Sequence, residues 1–198
     1  MSQKPGPDAR RPGRIRPVVV IGLLIALVLP FCHLGDLGKA HSGLGPLWGG
    51  EALWWVLFAG LLLYVLLVER KPLSSIGLRV PGVMDTAFAL VAAIAAVLGI
   101  GLIVAVVLPA MHLSMPQRIN SLFLAPFLFR VGLVTRAAFV EEVAFRGYGF
   151  ERISELTASP LLAALVTFAL FALAHLSGGG WAQVMIAAWG ALVLTLLS

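Results

Sequence analysis

The chain has 198 residues, 60% of them hydrophobic and 12% charged. A soluble domain is about a quarter charged, so this composition excludes an ordinary soluble protein and predicts an all-α, polytopic transmembrane helix bundle. The net charge of +5 does not mark a nucleic-acid binder, because Lys4, Arg10, Arg11, Arg14 and Arg16 crowd the first 17 residues, directly before an apolar run. That is the arrangement of a cytoplasmic anchor that sets topology.

In chain order, residues 1–17, with Pro5, Pro7, Pro12 and Pro17, predict a disordered basic cytoplasmic tail, and residues 18–198 a transmembrane domain. The tail and the apolar residues after it have the outline of a signal peptide. Phe31 beside Cys32 makes a poor lipoprotein cleavage site, however, and the run reads as an uncleaved first span, 18–34, bent or ended at Pro30. Cys32 is the single cysteine, which excludes an intrachain disulfide and a thiolate metal cluster. Residues 35–50, rich in glycine and holding Pro46, have loop composition. A second span, 52–68, is stopped by Glu69-Arg70-Lys71-Pro72, and a polar loop continues to Asp85. The third span, 87–108, is apolar throughout and long enough to cross a bilayer at about 1.5 Å per residue. After a loop over 109–120, a long helical segment over 122–155 holds Pro126, Arg130 and Arg136. Ser159-Pro160 is a helix restart, an N-cap serine with proline at the first helical position. The fifth span runs over 160–177, Gly178-Gly179-Gly180 breaks it, and a sixth covers 181–197.

Orientation follows from the basic residues. With the N-terminus cytoplasmic, the inner segments carry the tail charges, then Arg70, Lys71 and Arg79, then Arg146 and Arg152; the outer loops carry Lys39 and Arg118. Trp48, Trp54, Trp55 and Trp181 fall near outer ends, as an interfacial belt does.

Within this apolar frame, Phe139-Val-Glu-Glu-Val-Ala-Phe-Arg146-Gly147 places two carboxylates and an arginine within six residues. Each ionised group at mid-membrane costs about 2.5–3.5 kcal/mol on insertion scales, so Glu141, Glu142 and Arg146 must face protein or a wet cavity. Segments four and five form a helical hairpin. Glu141 and His175 both lie roughly 21–23 Å from its turn, which puts them at one depth. Glu142 and Arg146 can pair across one helical turn, whereas Glu141 points about 100° away, so the two carboxylates can have different tasks. Water activation suits this set. A poorly solvated carboxylate is a usable general base, and a neighbouring histidine can ligate a metal or donate to a developing oxyanion. Arg130 and Arg136 read as structural or lining residues, and His33, His41 and His112 as loop residues.

These residues resemble the CPBP family of intramembrane proteases, which includes the type 2 CAAX prenyl endopeptidases and the Abi-type bacteriocin-immunity proteins. The family's Glu-Glu-x-x-x-Arg motif matches Glu141, Glu142 and Arg146, with Gly147 following; its Phe-x-x-x-His motif matches Phe171 to His175. Lys71 to Leu78 also has the family look, so the resemblance spans about 65–198. It implies a metal-dependent or glutamate protease in the bacterial inner (plasma) membrane. Glu141 and His175 would act on water and the scissile carbonyl, with Glu142 and Arg146 in support. A divalent metal such as zinc would sit on Glu141 and His175. The implied partners are the lipid bilayer and a membrane-associated protein or peptide substrate, with no nucleic acid. The family's third motif, His-x-x-x-Asn or Asp on a later helix, has no match after His175. The core is therefore read as C-terminally incomplete. The endopeptidase reading stands beside two others, a catalytically silent scaffold or immunity protein and a transporter-like proton or cation site.

Overall fold

The computed structural model describes residues 17–28, 46–115, 119 and 124–196. The basic tail, Pro30, Cys32, His33, Lys39, His41 and Arg118 lie outside the described residues. Among the described residues every regular element is helical, as the composition predicts.

Helix α1 is Pro17–Val28. Helix α2 (46–68) begins inside the expected loop. Pro46 starts it rather than breaking it, since proline is tolerated in a first turn, where its missing N–H has no partner to lose. A single 3-10 turn, Leu73–Ile76, follows, closed by Gly77 in the left-handed region at φ 79°. Helix α3, Val83–Ala110, is longer at both ends than the apolar run, because Asp85 accepts from the Gly82 N–H at 2.8 Å and so carries the helix into polar sequence. Among the described residues, Trp48–Val68 and Val83–Ala110 are the two helices long and apolar enough to cross a membrane; Pro17–Val28, Pro160–Ala174 and Gly179–Val193 are shorter apolar helices.

Helix α4 (127–157) starts after Pro126 and not at 122. Pro126 stands just outside with extended backbone, where its lack of an N–H and its steric demand on the preceding turn do no harm. The middle of α4, Ala137–Gly149, is wound as a π-helix between α-helical Phe127–Arg136 and Phe150–Thr157. Ala158 in the left-handed region ends it. Ser159 Oγ then accepts from the Leu162 N–H at 3.2 Å and Pro160 opens α5, Pro160–Ala174, as the sequence predicts. Helix α6, Leu176–Leu196, is broken at Gly179 and at Gly180, whose φ of 64° and ψ of −158° are accessible essentially to glycine alone.

Helix α4 is the hub. It packs against α1, α2, the 3-10 turn and α5, while α5 packs on α6 and α6 on α3. Val65, Ile76, Phe145, Tyr148 and Phe171 form the centre of the core. A Cβ on Gly147 would overlap the Ile76 carbonyl oxygen, so this glycine lets the turn lie directly on α4.

Residues 69–79 are not simply a polar loop. The Glu69 carboxylate, 2% exposed, accepts from Arg152, 0% exposed, at 2.7 and 2.9 Å and from the Tyr148 hydroxyl at 2.6 Å. Arg152 also donates to Ser75 Oγ at 3.1 Å, and Lys71 pairs with Glu155 at 2.7 Å. A charge this deep persists only because every face of it is satisfied.

Candidate active site

The two motif pieces meet. His175 Nε2 stands 4.0 Å from Glu141 Oε2, which bears out the depth argument from the hairpin. Glu142 pairs with Arg146 one turn on, also as expected. The two adjacent carboxylates thus have separate partners.

Phe171 explains why the second piece begins with an aromatic. Its carbonyl oxygen accepts from His175 Nδ1 at 2.9 Å, and its ring lies 4.7 Å from the imidazole. The same ring meets Phe145 edge-on at 5.2 Å and lies 5.3 Å from the Arg146 guanidinium carbon. One buried side chain therefore joins both motif pieces. The carbonyl can only accept, so Nδ1 carries a proton and Nε2 is the ring atom turned toward Glu141. As an oxyanion donor, the second role considered for His175, the ring would donate from Nε2.

Arg136, read from the sequence as a structural or lining residue, bridges two carboxylates. It donates from Nη1 to Glu141 Oε1 at 2.8 Å and from Nε to Glu51 Oε2 at 2.9 Å, and its guanidinium lies 5.5 Å from the Trp54 ring. On an α-helix, residues five apart diverge by about 140°. In the π-wound stretch the i→i+5 repeat stacks them, which brings Arg136 over Glu141. Trp54 is thereby half-buried against an arginine. Glu51 falls between the expected loop, 35–50, and the expected span, 52–68; a lone acid opening an apolar helix is the available signal. Arg130 sits 5.9 Å from the Phe127 ring, with its Nε buried and without a hydrogen bond. His112 is exposed in the turn after α3, as expected of a loop residue.

A catalytic zinc takes three protein ligands. Among the described residues no group of three or more His, Cys, Asp or Glu side chains converges. Glu141 and His175 supply two donors, and one Glu141 oxygen already holds an arginine. This set does not fit a zinc site, and no step below is routed through a metal.

The family model described as type II CAAX prenyl endopeptidase Rce1-like matches residues 88–198, more than half of the chain. The match contains Glu141, Glu142, Arg146, Phe171 and His175. No curated protein matches the chain, and no solved structure does.

Proposed function

Because the chain belongs to the Rce1-like family of type II CAAX prenyl endopeptidases, we propose that it is an intramembrane endopeptidase of the plasma membrane that hydrolyses a peptide bond in a membrane-associated protein or peptide. The observation that carries this reading is the 4.0 Å separation of Glu141 Oε2 and His175 Nε2. One water can hydrogen-bond to both atoms at ordinary lengths near ~2.8 Å. Glu141 Oε2 takes a proton from that water as its oxygen bonds to the scissile carbonyl carbon. The proton then passes to the departing amide nitrogen as the C–N bond breaks, leaving a carboxyl and an amine. His175 Nε2 holds the water on the line of attack. Glu142 and Arg146 neutralise each other and fix the helix face beside Phe171.

The test is cleavage of membrane-anchored peptides by the purified chain in lipid vesicles, with fragments identified by mass. Glu141→Gln keeps the shape and removes the base, so kcat is expected to fall by about 10²–10⁴. His175→Ala should fall comparably. Equal turnover by wild type and Glu141→Gln would sink the assignment. An inert wild type that holds a stable membrane partner leaves the scaffold or immunity reading, and proton-coupled uptake lost in Glu141→Gln leaves the transporter.

A further inference from the structure

Arg136 is held at two different nitrogens by two different helices. Its Nε is occupied by Glu51 of α2 and its Nη1 by Glu141 of α4, and Trp54, three residues beyond Glu51, lies 5.5 Å from its guanidinium. Arg136 and Glu51 are largely buried, at 12% and 14% side-chain exposure. Arginine ordinarily grips a carboxylate with two parallel N–H groups, engaging both oxygens. Here the guanidinium is shared instead, Nε anchored on Glu51 and Nη1 on Glu141 Oε1, while Glu141 Oε2 is the oxygen 4.0 Å from His175 Nε2. Glu51 lies outside the segment that the family model matches.

We propose that Glu51 and Arg136 form a positioning relay for Glu141: Glu51 of α2 anchors the Arg136 guanidinium, and the anchored Arg136 fixes the rotamer of Glu141 that turns Oε2 toward His175. The relay acts through Glu141 and touches no reacting atom; its catalytic consequence rests on the endopeptidase reading above.

The two partners predict graded disturbances in one direction. Arg136→Gln frees Glu141. Glu51→Gln leaves Arg136 in place without its anchor on α2 and so loosens Glu141 in part. The experiment reads carbodiimide labelling of Glu141 by peptide mass spectrometry on the purified full chain in vesicles, alongside peptide cleavage. Labelling should rise at least severalfold in Arg136→Gln and by a smaller factor in Glu51→Gln. In both, kcat should drop roughly 10–100-fold with KM little changed, the loss that goes with misplacing a catalytic group by about 1 Å. The double variant should match Arg136→Gln, because Glu51 acts only through the arginine. If Arg136→Gln fails to fold, Arg136→Lys replaces it. A single ammonium cannot reproduce the two-point fork, so labelling should still rise and kcat still fall.

Unchanged Glu141 labelling in both variants overturns the relay, whatever the wild type cleaves. Raised labelling in both variants of a protein that cleaves nothing keeps the relay and overturns the endopeptidase reading. Raised labelling with kcat within twofold of an active wild type overturns the positioning role.

Discussion

At the scale of single residues, α4 carries a largely buried arginine, Arg136, and a fully buried one, Arg152, and position relative to the motif separates their roles. Arg136 reaches the carboxylate that faces His175, whereas Arg152 reaches Glu69, Tyr148 lies against it, and Ser75 completes its shell. Removing one member of a fully buried pair leaves the other charged and unsolvated, which costs about 3–5 kcal/mol; replacing both with well-packed neutral groups is often tolerated. Arg152→Met alone should therefore lower the thermal midpoint in detergent far more than Glu69→Gln combined with Arg152→Met. Equal losses would mean that Arg152 matters for its packing and not for its charge. The sequence made the Glu142–Arg146 pair legible because both partners lie within one turn. Glu51–Arg136 and Glu69–Arg152 join residues 85 and 83 positions apart. Local periodicity carries no information about such partners.

At the scale of elements, the hairpin of α4 and α5 was readable because its signals are local: the Ser159 cap, Pro160 at the first position, and equal arm lengths to Glu141 and His175. The winding of α4 was not. Nothing in Ala137–Gly149 announces i→i+5 bonding, and at 3.6 residues per turn Arg136 and Glu141 would lie about 140° apart. The same stretch seats the 3-10 turn on Gly147. A methyl group there meets the backbone carbonyl of Ile76, which cannot rotate away as a side-chain tip can. Gly147→Ala is expected to destabilise by about 1–3 kcal/mol, as overpacking does, with Arg146 displaced and cleavage reduced. Gly101→Ala is the control. A Cβ at Gly101 of α3 meets nothing within 4 Å, so the change should be neutral or stabilise by up to about 1 kcal/mol through helix propensity. Thermal unfolding of both variants in one detergent decides it; a neutral Gly147→Ala would show that the turn yields.

At the scale of the whole molecule, the two long-range ion pairs define how the helices run. Glu51 pairs with Arg136 and Glu69, at the C-terminal end of α2, with Arg152, so α2 runs beside α4 in the same direction. Parallel α2 and α4 require α3 to cross back between them. The segment after α2 and the turn after α3 must then lie at opposite ends of the bundle. Lys71 bonded to Glu155 places the first of these at the α4–α5 turn. Alternating spans predicted from hydropathy and basic residues have this same consequence, reached without any contact information. Which end is cytoplasmic rests on Arg70, Lys71 and Arg79 gathering at one of them. Two single-cysteine proteins test it, each with Cys32→Ala: Arg79→Cys, where the native side chain is 73% exposed, and His112→Cys in the exposed turn after α3. In sealed right-side-out vesicles an impermeant maleimide should label position 112 at once and position 79 only after the membrane is opened. The reverse order would keep the antiparallel crossing and invert the protein in the membrane. Labelling of both from one side would contradict α3 as a span, and with it the parallel alignment that holds Glu51 against Arg136.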